Sequence, residues 1–197
     1  MGEVMSLRER TRGAVRDEVM RQAWALFASQ GFEATTIDQI AEAAGMSRRS
    51  FFRYFESKDE LVLEQLAESG RAVAAALAAR PAEESPWVAL RAAFDESVTR
   101  MEANAEKSHP LQVMLHHEPA LRSTVVEWRR RLVGLLSPLV AERLEPRRGR
   151  GADVRAAAVT ASALACLDAA QGAWALDDDL RLSTLLDQAM GAVAPLD

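Results

Sequence analysis

The side chains with the most specific chemistry lie in one short run, Ser47-Arg48-Arg49-Ser50-Phe51-Phe52-Arg53-Tyr54. A guanidinium fork matches O6 and N7 of guanine, the commonest specific contact in the major groove of DNA. Arg48, Arg49, Ser50, Phe52 and Arg53 crowd the first two turns of a predicted helix, where side chains of a recognition helix meet base edges and free backbone N–H groups favour anions. Around them Thr36, Tyr54 and Lys58 offer hydroxyl and ammonium groups of the kind that hold phosphate oxygens. The chemistry expected is therefore recognition of double-stranded DNA. No glycine-rich phosphate loop, GxSxG elbow, HExxH pair or CxxC pair occurs in the sequence, so no catalytic residue, enzyme activity or cofactor is expected. His109, His116 and His117 do not suggest a metal site: adjacent histidines point to different helix faces, and no Cys or carboxylate completes an i, i+4 pair.

These residues must be positioned by short elements. Thr36 and Gln39 form a capping box that starts a helix with Ile37, Ile40 and Ala44 on one face. Gly45 supplies the positive φ that ends it. Ser47 caps the next helix, with Phe51 and Phe55 four apart on the side that must turn inward. Two short helices joined by a glycine turn form a helix-turn-helix. Upstream, from about Thr11 to Gln30, Val15, Val19, Ala23, Leu26 and Phe27 recur at helical spacing up to Gly31. Downstream, Ser57-Lys58-Asp59-Glu60 is a second capping box. It opens a long helix with the stripe Val62, Leu66, Gly70, Val73 and Leu77, a rigid lever rooted at Lys58.

The segments Gly31-Phe32-Glu33-Ala34-Thr35-Thr36-Ile37, Ile40-Ala41, Ala44-Gly45-Met46-Ser47, Phe51-Phe52-Arg53-Tyr54-Phe55 and Ser57-Lys58-Asp59-Glu60-Leu61 resemble the DNA-binding domain of the TetR family of transcriptional regulators. The match covers about residues 11 to 62. The resemblance implies an all-α fold of about nine helices. Residues 1–56 would be an N-terminal arm and three-helix helix-turn-helix domain, and 57–197 a helical effector-binding and dimerisation domain. By the same resemblance Thr36, Ser50, Tyr54 and Lys58 fall on phosphate-holding positions, and Arg48, Arg49, Phe52 and Arg53 on base-facing ones. Phe52 stands where many members have tyrosine, which leaves contact with a thymine methyl as its role. The Ser-Arg-Arg-Ser start suggests half-sites that contain guanine.

A net charge of −5 argues against DNA only at first sight. Residues 1–58 hold nine Lys and Arg against eight Asp and Glu, net +1, which leaves −6 for the rest. Screening confines each field to roughly 8 to 10 Å at physiological salt, so a small basic face can dock beside an acidic body. Arg8, Arg10, Arg12 and Arg16 crowd the N-terminus and read either as a solvated tail or as an arm able to enter an adjacent minor groove. The lone Cys166 excludes an intramolecular disulfide and reads as a small buried residue. With neither a leader pattern nor about 18 uncharged apolar residues in a row, a cytoplasmic protein without a membrane partner is expected.

Beyond the breaker-rich Pro81–Pro86, the apolar spacing predicts a helix through Trp87, Leu90, Phe94, Val98 and Met101. After Ser108-His109-Pro110 comes a short helix holding Leu111, Val113, Met114 and Leu115. Another opens at Glu118-Pro119 with the stripe Leu121, Val125, Trp128, Leu132, Leu135 and Leu139, kinked at Pro138. Arg147-Arg148-Gly149-Arg150-Gly151 reads as a solvated basic loop. An alanine-rich helix follows to Ala175, and Asp177-Asp178-Asp179 favours the start of the last one through its dipole. Trp87, Phe94, Met101, Met114 and Trp128 read either as plain core or as the lining of the effector pocket that the resemblance implies, a lining suited to a lipophilic or acyl-type molecule. Val159, Ala163, Cys166, Ala170, Leu182, Leu185, Leu186 and Ala189 are the expected homodimer contacts. The leading reading is a ligand-responsive repressor that binds a palindromic operator as a dimer. The alternative is an all-helical enzyme or carrier whose pocket is its function.

Overall fold

The computed structural model describes residues 6–144, 154–177 and 179–196. Among the described residues are nine α-helices and one 3-10 turn, and no strand. The chain divides into two compact units, Met1–Glu64 and Gln65–Asp197. The division falls inside the long helix α4 (Lys58–Ala78), not at the 56/57 junction read from the sequence, so the first turns of α4 go with the smaller unit.

In the smaller unit α1 (Leu7–Gln30) begins earlier than its apolar stripe, so Arg8, Arg10, Arg12 and Arg16 are helical and do not form an extended arm. Its inner face is Val19, Ala23 and Phe27. Thr36 caps α2 (Ile37–Ala43): Gln39 N–H donates to the Thr36 hydroxyl at 3.2 Å, and Thr36 N–H to the Gln39 side chain at 2.8 Å. At its other end Gly45 takes φ +66°, Gly45 N–H donates to Glu42 O and Met46 N–H to Ala41 O. These paired bonds satisfy carbonyls left over by the helix, and only glycine reaches that φ without strain. Ser47 then accepts from Ser50 N–H to start α3 (Arg48–Phe51).

The larger unit packs the rest of α4 with α5 (Pro86–Ala103), α6 (Ala105–His117), the 3-10 turn Pro119–Leu121, α7 (Arg122–Ala141), α8 (Val154–Leu176) and α9 (Leu182–Gly191). Their core gathers Leu77, Leu90, Phe94, Leu136, Trp174, Leu182 and Leu186. The predicted interruption at Pro110 is absent, because Pro110 lies early in α6 and only leaves the exposed Glu106 carbonyl without an in-helix donor. Water can serve that group. On α7 the inner face continues from Leu132 to Leu136 and Val140, which leaves Leu135 42% exposed. Pro138 sits in the last turn of α7.

Helix α8 is long and apolar enough in length and composition to cross a bilayer. Yet its Ala156, Thr160, Ala163, Leu164, Cys166, Ala170 and Trp174 are buried in this unit. Burial also pushes the Cys166 thiol pKa up, and its Sγ lies 3.4 Å from Ala189 O. All eight expected dimer contacts are used by the chain's own core, five of them buried and Val159, Leu185 and Ala189 packed against it. The periodicity had picked the stripe that this core requires. The side of α8 left open carries Ala157, Ala158, Ala161, Ser162, Ala165 and Ala169. The Arg147–Gly151 loop and Asp178 lie outside the described residues.

The start of α9 is capped from afar. Arg181, at its N-cap, makes no side-chain capping bond. Instead Glu102 on α5 accepts from Ser183 N–H and from the Ser183 hydroxyl, both at 2.8 Å, and from Arg181 at 3.3 Å. Burial pushes the Glu102 carboxyl up, but these bonds outweigh it and hold the pKa below the usual value. A carboxylate with a depressed folded pKa stabilises above its unfolded pKa and loses that contribution as pH falls through the folded one. Urea midpoints of the wild-type chain should therefore drop below about pH 4.5, less steeply in Glu102→Gln, while Glu102→Ala should cost about 1 kcal/mol at neutral pH as a lost N-cap.

Candidate functional site

With only four residues in α-helical form, α3 depends on its neighbours for support. After Phe51 the chain tightens: Arg53 N–H donates to Ser50 O and Tyr54 N–H to Phe51 O. Phe51 and Phe55 are 0% and 1% exposed, with ring centroids 5.7 Å apart. Because the inner side is filled by these rings, Arg49, Phe52 and Arg53 project outward. Phe52 is 46% exposed, unusual for so large an apolar group.

Two cations hold this arrangement. Lys58 Nζ donates to Thr35 O at 2.7 Å, Phe32 O at 2.8 Å and Glu33 O at 3.4 Å, and sits 4.5 Å from the Phe32 ring centroid. Its three N–H groups are thus directed at the turn between α1 and α2, not outward to a phosphate. Beneath it the buried Thr35 hydroxyl donates to Gly31 O at 2.7 Å. Arg16 pairs with Glu64, donates to Tyr54 O and covers the Phe55 ring at 4.3 Å. The residue expected in a flexible arm is therefore a brace between α1, the segment after α3, and α4.

The remaining expected DNA contacts separate by partner. Arg48 pairs with Asp38 at 2.8 Å, but both side chains are more than half exposed, a pair worth about 0–1 kcal/mol and easily exchanged. Arg49 and Arg53 have no ion-pair partner among the described residues. Thr36, Ser47 and Ser50 hydroxyls are engaged in the caps and remain at the surface. Arg53 and Tyr54 also line an open concavity of about 420 Å³ with Arg8, Thr11 and Arg12 of α1. Arg8 and Arg12, like Arg53, lack a carboxylate partner among the described residues, so this hollow is electropositive.

The larger unit has its own cavity, about 360 Å³. Of the five expected lining residues, Phe94, Met101 and Trp128 meet there. Trp87 does not: its Nε1 donates to Ala194 O at 3.2 Å, and Met114 also lies outside the lining. Gly70 makes room for Trp128, since a Cβ at position 70 would lie 2.3 Å from the indole Cη2. One wall is polar. Asp168 accepts from Arg129, whose pKa burial pulls down, and faces His116 Nε2 at 3.1 Å. His116 Nδ1 in turn faces Gln112 O at 2.9 Å.

Comparison with known proteins agrees with this geometry. Residues 19–64 match the family description "Bacterial regulatory proteins, tetR family", and residues 84–196, more than half of the chain, match "MftR C-terminal domain". The chain belongs to the TetR family. A relative, the HTH-type transcriptional regulator TcmR of Streptomyces glaucescens, is 46% identical over 88 residues, 45% of this chain and 39% of TcmR. The chain thus spans about two-fifths of that relative's length. Among solved structures, a TetR-family regulator from Syntrophomonas wolfei superposes with a TM-score of 0.70 at 13% identity, covering 91% of this chain and 93% of that one. FadR from Bacillus subtilis in complex with stearoyl-CoA gives 0.64 at 15% identity, covering 92% and 98%. These two likenesses concern the fold alone.

For this TetR-family chain, sequence reasoning missed Arg12 as a partner of Arg53 and Tyr54, and missed Gln112, His116, Arg129 and Asp168 as cavity groups. The first had a signal: Arg8 and Arg12 are one helical turn apart, hence on one face once α1 extends to Leu7. The second had none, because its members come from α6, α7 and α8. Replacing Lys58 by alanine should lower unfolding stability by about 1–3 kcal/mol, through three carbonyls losing a charged donor. Chemical denaturation checks this; an unchanged midpoint would show that the clamp contributes nothing.

Proposed function

We propose that this chain is a transcriptional repressor that binds a palindromic DNA operator as a homodimer and is released by a small lipophilic effector. The observation that carries the reading is α3 with the turn after it: Phe51 and Phe55 seal the inner side while Arg49, Phe52 and Arg53 face solvent. Such a helix can offer guanidinium forks to guanine and an aromatic edge to a thymine methyl. Arg8, Arg12, Arg53 and Tyr54 then form a seat for backbone phosphates, which fixes register without reading sequence. In this reading Lys58 acts indirectly, by holding the turn that precedes α2.

A short recognition element reads too few base pairs alone. Two copies related by a two-fold axis read half-sites about 34 Å or a multiple apart. The open alanine-rich side of α8 supports such pairing, because small side chains let helix axes approach closely. The cavity in the larger unit suits a lipophilic effector, and FadR of Bacillus subtilis, with the same fold, was solved with stearoyl-CoA. Helix α4 runs from Lys58 to Ala78, with Lys58 holding the turn before α2 and Gly70 and Val73 in the cavity lining. A ligand that prefers one of two conformations shifts the population toward it.

Selection of DNA from a random pool, followed by gel shifts at several salt concentrations, tests the reading. Arg49→Ala should weaken the selected site by about 1–3 kcal/mol and relax preference at one base pair. Arg12→Ala should weaken all sequences alike and flatten the salt slope by about one unit. Enrichment of no sequence would remove the DNA reading. Ala165→Glu should convert a sedimenting dimer to single chains; an unaltered dimer would move the interface away from the open side of α8.

A further inference from the structure

The cavity in the larger unit carries chemical information beyond its size. We infer that it accepts an uncharged, mainly apolar molecule bearing a carbonyl or hydroxyl group, which meets the side-chain amide of Gln112. This rests on the effector reading above and narrows it.

Three observations point to that chemistry. The first is the state of the lining charges. Asp168 is already engaged by Arg129 and by His116; Arg100 pairs with Glu96 at 2.6 Å, but both side chains are more than half exposed, so that cation stays largely in water. A carboxylate that passes the solvated Arg100 finds the Arg129 guanidinium already paired and meets Asp168; an ammonium finds a carboxylate already served by two donors. Bringing an unpaired ion out of water is strongly disfavoured.

The second is Gln112 on α6. It is only 6% exposed, yet its side-chain amide makes no hydrogen bond to any described residue. Its amide atoms are not sealed in protein either: among the described residues the enclosed unbonded side-chain polar atom is Trp24 Nε1. Gln112 lines the cavity, and its amide, not being sealed in protein, is placed to open on it. Almost all buried polar groups in folded proteins have a partner, so this one is left for water or for an occupant. Gln171 on α8 lines the same cavity, and its amide nitrogen reaches only the Met101 sulfur at 3.9 Å. An amide offers both N–H and C=O, and so complements a ketone, an ester or an alcohol equally well.

The third is the remainder of the wall, where Val73, Phe94, Met101, Leu111, Trp128 and Leu132 present apolar surface. About 360 Å³ is the scale of a drug-sized ligand, with a few polar groups fixing orientation inside an apolar lining.

Isothermal titration of the full chain with a matched series tests the inference: lauryl alcohol, methyl laurate, laurate, laurylamine and dodecane. The alcohol and the ester should bind about tenfold or more tightly than the two ions, and about tenfold more tightly than the hydrocarbon. Gln112→Met, which keeps the volume, should abolish the advantage over dodecane while leaving dodecane binding in place. Equal or tighter binding of laurate or laurylamine, or no binding of the neutral polar probes, overturns the inference. So does a Gln112→Met chain, shown by circular dichroism to be folded, that retains the preference. Operator release is scored separately by gel shift. Neutral probes that bind without releasing DNA uphold the cavity chemistry and remove the effector role. A chain that holds its operator but takes no neutral probe loses the cavity chemistry alone.

Discussion

A helix of four residues, such as α3, has no stability of its own, because the first turn of a helix is the costly one to form. Everything in the smaller unit follows from that constraint. Phe51 and Phe55 fasten one side, Ser47 fixes the start, and Arg16 grips Tyr54 O where the helix has already ended. Lys58 does for the α1–α2 turn what Arg16 does after α3: a cation replaces backbone partners that irregular chain lacks. Ser47, Arg16 and Lys58, polar groups suited to holding a ligand, hold the local geometry instead, and Arg49, Phe52 and Arg53 are left outward.

Local signals in the sequence led to correct local structure. The capping box at Thr36 and Gln39, the left-handed glycine at position 45 and the Ser47 cap each involve residues within five positions of one another, and each is present as read. The apolar stripes of α1, α4 and α5 were legible for the same reason. What failed was long-range. Periodicity shows that Ala163, Cys166, Leu182 and Leu186 must be covered, but not by what, and the chain's own core covers them. Likewise a lysine in a helix's first turn looks the same whether it reaches for a phosphate or for carbonyls twenty-odd residues upstream. Proline 110 misled because its cost depends on whether the orphaned carbonyl meets water.

The larger unit shows a division of labour within single helices. One side of α8 supplies Trp174, Ala170 and Ala163 to the core, and Asp168 and Gln171 reach the cavity. A third side holds only alanine and serine at the surface. Such a helix is apolar nearly all round, which explains why composition alone makes it resemble a bilayer-spanning segment. Gly70 on α4 has a comparable local meaning: absence of a side chain there admits the Trp128 ring.

Glu102 and Ser183 are 81 positions apart, yet the carboxylate of the one closes the leading end of the final helix. During synthesis α9 emerges after α5, and it has no hydroxyl or carboxylate of its own in the capping place. The cap on its first turn therefore forms only when α5 is folded and within reach, which ties the leading end of α9 to α5. Damage to α5 should thus surface as fraying at the far end of the chain.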